Sequence, residues 1–478
     1  MSISAGKSNA VPFTIGGTPL TFVKDSPELF LGSYVDYKGT SEGAFDYIHD
    51  KVDRILCNVE TSSIRPEYKL KVYEKYVLSS LRFVLTVHDF TKTQLSKLDA
   101  ISTKYVKKWL EMPSRGATSS IVHSPVGLNI PLLSDIYREN HAMRIAHGLL
   151  QSDERVQSVV EAKMDRELGF SKKSYGNVES AIIVQEVLEK TDTNDMSTIK
   201  KGVKDIINDD RNKKWEKVTA SLAVQGQFLQ LLSQQEEDLT WKSIIYSLPR
   251  RVLSFATRAS IDALPTFRNL QRWGKRQSGT CNLCSNTQTL HHILNGCNVM
   301  LTQGRYTWRH DSILQHIWQL ISSSDPVTGD VIQAHVDLPG HSGRTVPLSI
   351  LPTTDRPDMV LINNERKELT ILELTVPFEP NIPKSHTYKQ NKYTPLSNDL
   401  EKAGFKCQLL CFEVGSRGFI SKGNKGRLLE FLRKVGLAKK IKSLCNDLCK
   451  LSLVTSYGIY TSRNEPQWNA TDMFLLNG

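Results

Sequence analysis

Apolar residues recur along this chain with two different periods, and the change of period marks its elements. In residues 43–62 and 66–85 they return every three or four positions, which predicts two amphipathic helices. A third helix, TQLSKLDAISTKYVKKWL, sets Leu95, Leu98, Ile101 and Val106 near one face and lysines on the other. Ahead of them, PFTIGGTPLTFV reads as two strand-like runs about a Gly-Gly turn, and ELFLGSYV as one further strand. Residues 150–245 are polar and helix-rich, with a flexible point expected at TDTNDMST.

The period changes to two near the C-terminal third. In PDMVLINNERKELTILELT, two short apolar runs flank a polar NNER turn and predict a β-hairpin. Asp358 opens its first strand, Glu373 lies near the end of the second, and Glu373 and Thr375 share one face. A helix follows, in which YKQNKY places Lys389 and Lys392 on one face, and Pro395 is expected to break or restart it. GDVIQAHVDLPG reads as another hairpin and CQLLCFEVGSRGFI as a core strand ending in a Gly-rich turn. Glu413 is placed at the edge of the site and Arg417 near a phosphate or a turn.

Composition narrows the partners. At 39% hydrophobic and 23% charged residues, the chain can bury several cores, enough for about two to four domains. No apolar run approaches the roughly 20 residues of a membrane helix, and MSISAGKSNA lacks the apolar centre of a secretory signal. Eight cysteines without such a signal favour metal or core roles over disulfides. The net charge of +11 is concentrated: residues 241–310 hold ten Lys or Arg against one acid, Asp262. That is the footprint of phosphate binding, with Arg250, Arg251, Arg268, Arg272, Lys275, Arg276 and Arg309 as the candidate contacts. Phe255, Phe267 and Trp273 stand between these cations, where base stacking and helix packing explain them equally well.

Two metal sites are expected. CNLCSNTQTLHHILNGC offers Cys281, Cys284, His292 and Cys297, three soft thiolates and an imidazole suited to a closed, structural Zn2+ site. His291 competes for the imidazole position, and the interval to Cys297 favours His292. Asp358 and Glu373, carried by paired strands, can converge on one hard cation, Mg2+ or Mn2+.

The hairpin resembles the PD…(D/E)xK core of restriction-enzyme-like nucleases, with Thr375 where that family has its lysine. Lys389 or Lys392, supplied from the next helix, could steady the phosphate and orient the attacking water. SISAGKSNAVPF resembles the lysine-bearing segment of reverse transcriptases, with Lys7 as its lysine, and LFLGSYV the strand that follows. The helices through KKWLEMP and on to LNIPLLSDIYRENHAMRIAHGLLQSDERV are similar to the thumb of non-LTR retrotransposon polymerases. GRYTWRHDSIL, just after the zinc motif, resembles that family's Arg-His segment, whose helix carries Asp311 as a possible extra acid. The order of parts also matches the family.

The resemblance implies an α+β multidomain chain: polymerase palm end and thumb at 1–150, a helical connector at 151–245, basic helices with the zinc element at 246–303, and a restriction-like endonuclease at 304–478. It implies nicking of a DNA target, contact with element RNA and a nuclear location, with no small-molecule substrate and no membrane. The sequence holds no Phe/Tyr-x-Asp-Asp, and its one Asp-Asp pair, Asp209–Asp210, lies in a polar helical stretch, so DNA synthesis is not expected of these residues. The alternative is a catalytically inactive, zinc-containing DNA- or RNA-binding remnant.

Overall fold

A computed structural model describes residues 14–19, 28–30, 33–35, 42–113, 118–169, 177–191, 195–233, 243–244, 246–323, 332–341 and 344–470. Lys7, Lys242 and part of the TDTNDMST cluster lie outside the described residues. The chain divides into two compact units, Met1–Trp109 with Ile130–Lys213, and Leu110–Asn129 with Lys214–Gly478.

Among its described residues the first unit is helical apart from two short hairpins. β1 (Thr14–Ile15) pairs with β2 (Thr18–Pro19) about Gly16 and Gly17, which take φ of +59° and +82°, open to glycine without a Cβ clash. ELFLGSYV forms a pair of strands, β3 (Glu28–Phe30) and β4 (Ser33–Val35), in place of the single strand expected. The pattern of short apolar runs cannot distinguish one strand from two when each is three residues long. The helices Glu42–Thr61, Pro66–Val72, Leu78–Val87 and Lys92–Trp109 follow, the second and third joined through a π-helical turn at Tyr73–Val77. Leu95, Leu98 and Val106 are buried and Ile101 half-buried. Ala142, Ile145, Val184, Val187, Ile199 and Val203 form a second core among the Leu133–Leu149, Asn177–Thr191 and Met196–Ala220 helices. On the last of these, Asp209 pairs with Lys213 and Asp210 with Arg138 at the surface.

The second unit is built on one four-stranded sheet in the order β5 (Ile332–Val336), β6 (Met359–Asn363), β7 (Glu368–Thr375), β8 (Lys406–Glu413). β6 and β7 form the expected hairpin; Asn363 Oδ1 accepts from the Arg366 amide at 2.9 Å, and Lys367 closes the turn at φ +51°. GDVIQAHVDLPG contributes the single strand β5, antiparallel to β6, where a hairpin was expected. β7 and β8 are parallel, so a crossover is required between them, and the Ile382–Lys402 helix supplies it.

That helix runs unbroken through Pro395. Losing the proline amide costs one backbone bond, but Tyr393, Leu396 and Leu400 pack onto Val360, Ile362, Leu369 and Ile371 and hold the helix on the sheet. By strand parity Asp358 and Glu373 continue the rows of those same sheet residues, at the end of the apolar surface. Among the described residues no helix is long and apolar enough to cross a membrane. The described residues are mixed, mostly helical with a small four-stranded sheet and two short hairpins, consistent with an α+β class.

Candidate functional site

The zinc turn is assembled by local hydrogen bonds. The Cys281 amide donates to Asn286 O at 2.7 Å and the Ser285 amide to Cys281 O at 3.2 Å, curling Cys281–Cys284 into a tight knuckle. Ser285 takes φ +62° there, and a bridge between Thr280 and Thr287 closes its base. A one-turn π-helix, His292–Gly296, then carries the imidazole, and Cys297 begins the Asn298–Thr302 helix. Tyr306 fixes the second half: its hydroxyl donates to Ile293 O and accepts from the Cys297 amide, both at 3.0 Å.

The donor atoms of Cys281, Cys284, His292 and Cys297 all lie within 4.8 Å of one another, and His292 Nε2 is 3.2 Å from Cys284 Sγ. That spacing fits a tetrahedron with metal–ligand bonds of about 2.0–2.3 Å. The chemistry of the set agrees. Burial and the neighbouring Cys284 and Cys281 thiols push Cys297 up to about 11, so a thiolate form of this cluster depends on a cation among the sulfurs. Burial holds His292 below the usual imidazole range, in the neutral form a metal needs. His291 faces away, with its Nε2 3.1 Å from Asn381 Nδ2.

The acid centre is assembled from four elements. The Asp358 amide donates to Glu373 Oε2 at 3.1 Å, and Asp358 Oδ2 accepts from the Leu374 amide at 2.7 Å. These bonds extend the β6–β7 pairing by one rung and turn both carboxylates to the same end of the hairpin. Lys389, from the crossover helix, forms an ion pair with Glu373 Oε1. Lys392 makes no ion pair with either acid among the described residues: its amine donates at 2.9 Å to the Tyr393 hydroxyl, which donates to Arg356 O and lies beside Glu373. Thr375 Oγ1, in the nuclease family's lysine position, is buried without a partner among the described residues.

The pattern of the hairpin gave no sign of His310. Its Nε2 lies 3.2 Å from Asp358 Oδ2 and its Nδ1 3.0 Å from Asp311 Oδ1. Asp311 therefore reaches the centre only through His310. Burial opposes a charge on His310, yet Asp358 and Asp311 outweigh it and raise the imidazole to about 10. Burial alone would raise Asp358, but the His310 charge and hydrogen bond, with Lys389, hold it below the ordinary carboxylate range. Burial and the Asp358 charge push Glu373 up to about 7, against the pull of Lys389. Asp358 Oδ1 accepts no hydrogen bond among the described residues, and so is the oxygen best placed for a cation.

The basic window separates into two kinds of residue. Arg251, Arg268, Arg272, Lys275 and Arg276 are exposed, as is Trp273 at 40%. Arg250 is also exposed but pairs with Glu111 at 2.8 Å. Arg309 must be withdrawn as a nucleic-acid contact. It is 1% exposed, and its guanidinium donates to Leu294 O at 2.9 Å, Val376 O at 3.1 Å and Ser456 Oγ at 3.0 Å. Arg305 is likewise buried, bonded to Ser462 O and Glu465 O. Phe255 and Phe267 are core residues, 2% and 6% exposed, which leaves Trp273 as the accessible ring of the three.

Residues 224–303 match a domain described as zinc-binding in reverse transcriptase. The chain is similar to the retrovirus-related Pol polyprotein from the type-1 retrotransposable element R2 of Bradysia coprophila, 20% identical over 416 residues. That alignment takes in 85% of this chain and 42% of the polyprotein, so the chain spans less than half the length of its relative.

Proposed function

Because this chain is a relative of non-LTR retrotransposon polyproteins, with a zinc-binding region of the reverse-transcriptase type, we propose that its second unit is a metal-dependent DNA endonuclease that nicks a target strand. The observation that carries the reading is the convergence of Asp358 and Glu373 at one end of the β6–β7 hairpin, with the Lys389 ammonium on Glu373. In this reading residues 1–150 correspond to a polymerase palm end and thumb, 151–245 to a connector, 246–303 to the basic and zinc element and 304–478 to the nuclease.

Asp358 and Glu373 would hold Mg2+ or Mn2+, which when bound polarises a phosphate oxygen and acidifies water. Lys389 holds Glu373 in place and presents positive charge to the scissile phosphate. His310 fixes Asp358 through Oδ2 and leaves Oδ1 for the cation. The zinc turn would be structural, because all four of its donors come from protein. Arg251, Arg268, Arg272, Lys275 and Arg276 would contact phosphates of DNA or element RNA, with Trp273 available for stacking. The nuclear location is part of the same reading.

A second reading has its own observation. Lys389 and His310 already neutralise the two acids, and Thr375 replaces the family's lysine, as a binding remnant would allow. Supercoiled-plasmid nicking with Mg2+ or Mn2+ separates the two. The endonuclease reading expects the wild type to produce open circles and Asp358→Ala to produce none, with DNA affinity within about twofold. Equal nicking by both proteins, or none by either, would reject it.

A further inference from the structure

Glu413, the last residue of β8, is fully buried, and two side chains converge on it. His386 Nδ1 lies 2.9 Å from its Oε1, and Arg427 donates to Oε2 at 3.0 Å. His386 comes from the same helix as Lys389, one turn earlier, so the two project from one face. In the sheet Glu373 pairs with Cys411 and Thr375 with Glu413. Two rungs therefore tie the helix to neighbouring strands: Lys389 on Glu373, and His386 on Glu413. The second rung has no part in holding the proposed cation.

The chemistry of the second rung is that of an oriented imidazole. The buried carboxylate fixes a proton on Nδ1, while the ring keeps 27% of its surface exposed. No hydrogen bond to His386 Nε2 is present among the described residues. We propose that His386 Nε2 contacts a backbone phosphate of bound DNA beside the one met by Lys389. The choice of ligand rests on the endonuclease reading; the oriented ring does not.

A neutral ring with its proton on Nδ1 offers only a lone pair at Nε2, which a phosphate oxygen repels. Contact therefore requires the imidazolium, held between Glu413 and the phosphate. The ring meets Glu413 from β8, whose other oxygen is held by Arg427 from the Lys422–Lys434 helix; one turn along the ring's own helix Lys389 pairs with Glu373. Arg427 offsets part of the Glu413 charge, so a second anion on Nε2 completes the balance.

The test is fluorescence anisotropy of a labelled DNA duplex without added divalent cation, at about pH 5.5 and about pH 8. Wild-type affinity should fall roughly tenfold between them, the value of one charge-assisted hydrogen bond. His386→Gln should bind about tenfold more weakly at the lower pH, lessen the pH response and reduce the salt slope by about one. His386→Arg, with a permanent charge, should keep its affinity at the higher pH. The inference is overturned if His386→Gln retains wild-type affinity, pH response and salt slope. Nicking by the same preparations keeps the two ideas apart. Protein that shows this pH response yet never nicks defeats the endonuclease reading alone. Protein that nicks, while His386→Gln binds as the wild type does, defeats the phosphate contact alone.

Discussion

The zinc turn and the acid centre lie in the same unit but are put together in opposite ways. The first draws its donors from residues 281–297, a single local loop. The second needs His310, Asp358, Glu373 and Lys389, delivered by two helices and two strands. A local site can be specified by spacing and completed by an ion; a distributed one exists only when the sheet and both helices are already in place. They are also joined. Asn295 Nδ2 donates to Val376 O at 2.8 Å, and Arg309 bonds both Leu294 O and Val376 O, so the zinc turn is fastened one residue beyond the end of β7.

The sharpest way to break this comparison is to remove the ion. Structural zinc in small peptides contributes about 10–16 kcal/mol of apparent binding energy, most of it expressed as folding. Cys284→Ser should abolish a stoichiometry of one zinc per chain, measured by elemental analysis, and expose the amides around the knuckle to hydrogen exchange. If the local account is right, protection in β6 and β7 outlasts that in the zinc turn. Simultaneous loss in both would show that the fastening dominates.

Arg309 tests the fastening directly. Arg309→Met keeps much of the volume but leaves the Leu294 and Val376 carbonyls short of a donor in the interior. It should cost about 3 kcal/mol of stability by denaturant unfolding, with little change in the salt dependence of DNA binding. A purely surface arginine would give the reverse pattern.

This residue also shows what the sequence could convey. The four zinc ligands were legible because their partners are near in sequence, and the β6–β7 hairpin because two short apolar runs about a polar turn announce the paired strands that carry Asp358 and Glu373. Arg309 and His310, adjacent on one helix, diverge by about 100° around its axis, and their partners are remote. His310 meets Asp358 48 positions away, and Arg309 meets Ser456 147 positions away. A charge count treats Arg305 and Arg309 like Arg272, since burial is decided by elements that come later in the chain. The continuity of the helix through Pro395 was hidden for the same reason: Tyr393, Leu396 and Leu400 hold it only against the finished sheet.

The two sites should fail at opposite ends of the pH scale. Zinc ligands must be deprotonated, so the knuckle weakens as pH falls. His310 has a folded value of about 10, above its free value of about 6.5. Its contribution is therefore fully present below about 6.5 and is lost as pH rises through about 10. The shift corresponds to about 3 kcal/mol once solvent screening of the partly exposed ring is allowed for. In buffer without divalent cation, unfolding curves should show this alkaline loss, and His310→Gln should flatten it. An unchanged slope in His310→Gln would mean that Asp358 and Asp311 do not hold a charged imidazole.

The smallest expected effect separates two lysines that the sequence left equivalent. Lys389 pairs with Glu373 directly, whereas Lys392 donates to the Tyr393 hydroxyl, which lies beside the same acid. In plasmid nicking, Lys389→Ala should slow the reaction by about a hundredfold, the loss of one preorganised electrostatic contact. Lys392→Ala should change it by less than about threefold, acting indirectly through the Tyr393 hydroxyl. The contrast depends on geometry: both lysines carry the same charge on the same helix, and a rate difference measures which ammonium the crossover turns toward the carboxylates. If the two variants slow equally, the charge acts at a distance and the ion pair with Glu373 has no special part in the chemistry. If only Lys392→Ala slows, bound DNA must reorganise the helix, and the distributed site is completed by its substrate much as the local one is completed by its ion.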